Sequence, residues 1–290
     1  MRTTTTLPGH QTVLRALRLA NRAPSAHNTQ PWHWFVGDYS IHLMADRSRH
    51  VPGTDPCERD LVISCGAALH HLRTALAAAG WYAEVDLLPG ADPDHLASVE
   101  MSRRAPSEED IMLARAIPRR HTDRGAFASC PMPDGHLDLL AGHAAAEGVA
   151  LVPVTDPAHR HVVTTAIAAA AGWQDETATP EGGGPCAEEL VVLATPADDV
   201  VSRLRAGVAA SAVLLAATSL DLATCPLTRL FRVGHTRDRL RHEVLSGATH
   251  PQLVLRVGRA AAEPVARSPR RSVDETVTYL PGTGPRRAGH

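Results

Sequence analysis

Two long apolar stretches constrain this chain more than any other feature. Residues 57–79 and 200–220 each run for about six helical turns with few charges and many small side chains. Apolar positions recur on several faces of each stretch, the pattern of a helix buried on all sides. A fold that covers both helices needs a layer around each, so each is expected at the centre of its own half. In the first half, strands are expected at 32–36 and 41–44 around a Gly37-Asp38 turn, and at 82–88 and 96–101. In the second half they are expected at 149–154, 190–194 and 252–257. Shorter helices are expected at 11–22, stopped by Pro24, and at 134–147, 157–171 and 237–245. Ser107, followed by Glu108, Glu109 and Asp110, reads as the N-cap of another helix and marks the boundary between residues 1–106 and 107–290. The second half ends in a Pro- and Arg-rich arm, 260–290, expected to be irregular. Gly182-Gly183-Gly184-Pro185, within 174–185, reads as a flexible connection. The fold class is α+β.

Composition excludes several chemistries. Every one of the 29 Lys-or-Arg residues is arginine, so neither a Walker A phosphate loop nor a pyridoxal Schiff base can form. A side chain holding an anion must be arginine or protonated histidine, and arginine's planar fork suits phosphate. Net charge is -2, which gives no bulk electrostatic case for nucleic acid or acidic membranes. No uninterrupted apolar span is expected to cross a bilayer, and Met1 to Pro8 lacks a signal-peptide core. Five cysteines (57, 65, 130, 186, 225), odd in number and without a close pair, read as reduced cytoplasmic thiols. No metal-binding spacing is present, so no metal is expected. His70, His71, Cys65 and Cys225 read as structural.

Four stretches carry candidate chemistry. Pro24 and Pro31 bracket a rigid polar turn with Ser25, His27, Asn28, Thr29 and Gln30. Such a turn presents donors and acceptors in a row at little ordering cost. Arg119, Arg120, His121 and Arg124 crowd into six residues with Thr122 among them, a suitable nest for a phosphate dianion. Arg270 and Arg271 stand in a third patch, Ser268-Pro269-Arg270-Arg271. The fourth is Asp221 to Thr228, with Pro226, Leu227 and Thr228.

These blocks resemble those of the flavin-dependent nitroreductase family, most closely its actinobacterial Acg-like branch. The likeness extends to Asp60-Leu61-Val62-Ile63-Ser64-Cys65-Gly66, Arg205-Ala206-Gly207 and Pro251 to Gly258, and so covers most of the chain. In that family the first two blocks sit on opposite subunits of a dimer and hold one FMN between them. One chain carries one copy of each here, in reverse order, which implies two fused repeats forming a single-chain pseudo-dimer, expected to be monomeric. By resemblance Pro24, Ser25, Asn28 and Gln30 line the flavin ring. Arg120, His121, Thr122 and Arg124 hold its phosphate, ribityl chain and N1–C2=O edge. Either Arg270 or Arg271 returns to the phosphate, and Pro226, Leu227 and Thr228 form a loop beside N5. Arg229 stands where the family often has glycine. The implied activity passes reducing equivalents from NAD(P)H through FMN to a small organic acceptor, a nitroaromatic or a quinone for example, with no obligatory catalytic side chain. The alternative is an Acg-type protein that stores or sequesters FMN with little turnover. The branch usually has a longer lid insert, and this chain is shorter near 173–185, which implies a more open site.

Overall fold

The computed structural model describes residues 8–171, 188–232, 234–261 and 268–281. The expected 174–185 connection and the lid question lie outside the described residues.

The first half begins with helix α1 (His10–Ala20), whose Val13, Ala16, Leu17 and Ala20 are buried. Strands β1 (Trp32–Val36) and β2 (Ser40–Ala45) form the expected hairpin. Helix α2 (Arg59–Ala78) follows, then β3 (Trp81–Leu87) and β4 (His95–Arg103). In the second half come α3 (Glu108–Ala116), α4 (His136–Ala146), β5 (Ala150–Pro153), α5 (Pro157–Ala171), β6 (Glu189–Thr195) and α6 (Val200–Ser219). After these come β7 (Leu222–Leu227), α7 (Gly234–Arg239) with a π-helical turn over Leu240–Val244, β8 (His250–Arg259), α8 (Val273–Thr276) and β9 (Val277–Tyr279). Ser107 caps α3 in a full capping box. Its Oγ accepts from Asp110 N at 3.1 Å, and its own N donates to the Asp110 carboxylate at 2.9 Å.

The strands make two sheets, β3-β4-β2-β1-β9 and β5-β6-β8-β7. All pairings are antiparallel except β1 with β9, where Trp34, Phe35 and Val36 run beside Val277, Thr278 and Tyr279. The long helices α2 and α6 cross directly at their glycines. A Cβ on Gly66 would lie 2.1 Å from the Leu204 carbonyl oxygen, and one on Gly207 would lie 2.0 Å from that of Ile63. Only hydrogen fits there, so two backbones touch where side chains usually intervene. Leu204 and Val208 of α6 join the first-half core, together with Trp32, Trp34, Leu69 and Leu72.

Three expectations change. Both long helices are long and apolar enough to span a membrane by length and composition, contrary to the sequence reading. Their most apolar windows are 83% and 78% buried inside the protein, as core helices would be. The stretch 221–228 is not a loop, because Leu222–Leu227 is a strand. It lies at a sheet edge, where a proline such as Pro226 is tolerated. The arm beyond 260 is also not wholly irregular. A capping box on Ser272 starts α8, and β9 then extends the first-half sheet.

Candidate functional site

The turn after α1 is strained and heavily braced. His27, Asn28 and Gln30 have φ of 51°, 56° and 49°, the left-handed region that non-glycine residues rarely enter. Ser25 Oγ accepts from Gln30 N at 3.0 Å, and Ala26 N donates to Ser64 Oγ of α2 at 3.2 Å. Cys65 Sγ lies 3.1 Å from the Pro31 carbonyl. The central helix thus sets the position of the turn.

The closing block is brought onto this turn from the far end of the chain. Arg270 Nη1 donates to Asn28 Oδ1 at 3.0 Å, and Asn28 Nδ2 donates to the Pro269 carbonyl at 3.0 Å. Arg271 N donates to Gln30 Oε1 at 2.7 Å. The Arg271 guanidinium spans the carbonyls of Gln30 (3.0 Å), Trp32 (3.3 Å) and Glu275 (2.8 Å) and pairs with Asp46 at 3.3 Å. Arg270 Nη1 also donates to the carbonyls of Ser268 (3.2 Å) and Pro269 (3.1 Å), and Nε of both arginines is buried without a partner, so the Asp46 carboxylate is what separates Arg271 from Arg270. Gln30 is buried, and its amide nitrogen donates to the Asn28 carbonyl at 3.2 Å. Asn28 and Gln30, expected from the sequence to line a flavin ring, also fasten the closing block. Asn28, half-buried, keeps one further donor and one further acceptor.

Arg120 is buried at the end of α3, where its N donates to the Ala116 carbonyl at 2.8 Å. Ala116 and Ile117 pack on Leu215 of α6 and hold this segment down. Its Nε and Nη1 are buried with no hydrogen-bond partner, as is Nε of Arg270. Burial first, then the like charges of Arg270 and Arg22, pull the Arg120 pKa down to about 10. Burial and Arg22 also lower that of Arg270. Among the described residues no carboxylate ion-pairs with Arg22, Arg120 or Arg270. Beside them lies His71 of α2, fully buried and kept neutral by burial and then by Arg120. Arg120 is buried and Arg22 and Arg270 are half-buried, and a positive cluster of this kind without an acid can accommodate an anion.

The rest of the second block runs alongside β7 and β8. Asp123 N donates to the Thr224 carbonyl at 2.9 Å, and Arg119 pairs with Asp221. The Arg256 guanidinium lies 4.6 Å from the centre of the Phe127 ring. His121 and Thr122 are half-buried and Arg124 is exposed, close enough to act electrostatically on Cys225. No hydrogen bond among the described residues joins these three to Arg120 or Arg270. Pro226, Leu227 and Thr228, all half-buried, continue from the same strand. Arg22 was missed in the sequence, where an arginine at a helix end reads as an ordinary partner of the helix dipole.

No protein-family model matches the chain. A Mycobacterium tuberculosis H37Rv protein named as the NAD(P)H nitroreductase Rv3131 is 36% identical over 321 aligned positions, covering 95% of this chain and 93% of that protein. The NAD(P)H nitroreductase named acg, from the same strain, is 33% identical over 310 positions, covering 90% and 93%. The chain belongs to the Acg-like nitroreductase family. Among solved structures, a protein named as a nitroreductase from Anabaena variabilis superposes with a TM-score of 0.62 over 86% of this chain and 88% of its own. At 11% identity that likeness speaks for the nitroreductase fold alone. The Acg-like chain is thus a mixed helix-and-sheet member of a nitroreductase-like NAD(P)H oxidoreductase family.

Proposed function

We propose that the protein is an FMN-dependent oxidoreductase that passes reducing equivalents from NAD(P)H to a small organic acceptor. The observation that carries this reading is the acid-free arginine cluster, buried at Arg120 and half-buried at Arg22 and Arg270, set against the turn at Ser25–Gln30. Unpaired Nε and Nη1 of Arg120 and Nε of Arg270 suit a phosphate monoester, which offers the acceptors these donors lack. FMN, when bound, supplies hydride chemistry at its ring. The protein's part is to bind, orient and shield. Arg120 and Arg270 would fix the phosphate end, and Asn28 would offer its spare donor and acceptor to the ring. His121, Thr122 and Arg124 would flank the ribityl chain and the N1 edge, and Pro226–Thr228 would stand beside N5.

We further infer that residues 1–106 and 107–290 are the two halves of a pseudo-dimer carrying one flavin, working as a monomer in the cytoplasm. The direct crossing of α2 and α6, one long helix from each half, supports that reading. The test is the visible spectrum of the purified protein during anaerobic addition of NADPH, then NADH. Flavin bands that bleach quickly support a reductase. Bands that persist favour a protein that holds FMN with little turnover. A protein that shows no bands even after FMN is added would sink the proposal.

A further inference from the structure

Arg22 is placed by features the flavin-binding blocks do not include. Its N donates to the Leu19 carbonyl at 3.0 Å, which continues α1 by a turn, and Pro24 then fixes the exit. Its Nη2 reaches the Pro118 carbonyl at 3.4 Å, across to the segment that leads into Arg120. Its Nε is buried and has no partner. Arg22 therefore lies against the segment that carries Arg120, and its positive charge lowers the pKa of both Arg120 and Arg270. His71 beside them cannot supply the counter-charge, because it is neutral or positive and never negative. Three clustered cations without an acid repel one another, an arrangement that makes sense when the missing charge arrives with a ligand.

We propose that Arg22 is a third phosphate-binding arginine, supplied by the first half of the chain to a site otherwise built from Arg120 and Arg270. The proposal rests on the FMN reading and deepens it. A phosphate monoester carries between one and two negative charges at neutral pH, with three strong acceptor oxygens, one for each guanidinium. The site therefore selects the phosphorylated flavin over riboflavin, and it needs both halves of the chain to do so.

The test is binding of FMN and of riboflavin to the flavin-free protein, read by quenching of flavin fluorescence. Arg22→Gln is expected to weaken FMN by about 10- to 100-fold, one charge-assisted hydrogen bond's worth, and to leave riboflavin unchanged. If Arg22→Gln binds FMN as the wild type does while Arg120→Gln loses affinity, the role of Arg22 is refuted and the FMN reading stands. If neither variant loses affinity, the phosphate reading itself fails. Should Arg22→Gln not fold, Arg22→Lys decides. It keeps the charge and the stem but loses the planar fork, so FMN should weaken by about 10-fold. Wild-type FMN affinity in Arg22→Lys would overturn the proposal.

Discussion

Adding one methyl group at Gly66 should loosen the whole protein. The new Cβ would sit 2.1 Å from the Leu204 carbonyl oxygen and 3.0 Å from both Gly207 Cα and Val208 N, all of them backbone atoms. A carbon needs roughly 3.3 Å from a carbonyl oxygen, so the helices must part by about 1.2 Å. Ordinary overpacking costs about 1–3 kcal/mol when side chains can turn aside. Backbone cannot turn aside, so a cost of about 4 kcal/mol is expected here. Better helix propensity of alanine returns about 1 kcal/mol, leaving about 3 kcal/mol of net loss. For a chain of 290 residues that lowers the melting temperature by roughly 5 °C in calorimetry. Gly142→Ala is the control: the site is exposed, within α4, with nothing within 4 Å, and should melt slightly higher. Gly207→Ala should behave like Gly66→Ala, and the double variant should lose less than the sum, since one separation relieves both clashes. A Gly66→Ala protein that melts at or above the wild-type temperature would refute the direct backbone contact.

Three other outcomes follow from the structure. Burial holds His70 down at about 3 and His71 well below its ordinary value, so the unfolded chain takes up their protons first as pH falls. Stability should drop below about pH 6.5 by up to about 1.4 kcal/mol per pH unit for each histidine, and His70→Gln should flatten the curve; a melting temperature constant from pH 7 to 5 contradicts this. Burial pushes the Cys65 and Cys225 thiols up, whereas Cys57 and Cys130 are exposed. Alkylation of the native protein, read by mass spectrometry, should therefore mark Cys57 and Cys130 and spare Cys65 and Cys225. Arg271→Ala strands the carbonyls of Gln30 and Trp32 and the Asp46 carboxylate, for a loss of about 2–3 kcal/mol in urea titration, with faster FMN release.

Much of this molecule was legible in the sequence because its strongest signals are local. The helices α2 and α6 announce themselves as long apolar runs, and Ser107 with Asp110 spells its own capping box. The arginines of the second and closing blocks stood out by crowding. What stayed hidden depends on partners distant in the chain. The strand β7 contains Pro226, which reads as a break until its place at a sheet edge is known. Three residues of β9 make no periodic pattern, and they count as a strand only because β1 accepts them. Asn28 and Gln30 were recognisable as important, but their partners at 269–271 lie 241 residues away, so their bracing role could not be read locally. Arg22 looked ordinary because nothing in its neighbourhood of sequence reveals that Arg120 and Arg270 converge on it.

The return of residues 268–279 to the first-half sheet has a consequence for how the protein is made. Asn28 leaves the ribosome long before Arg270, and at about 5–20 residues per second the interval is roughly 10–50 s. Throughout that time β1 has an open edge where β9 will dock, a surface that invites pairing with a neighbouring nascent chain. The strained turn is likewise without its brace until Arg271 arrives. If Arg270 holds the flavin phosphate as proposed, cofactor loading falls at the end of synthesis, when the same late segment closes the vulnerable edge.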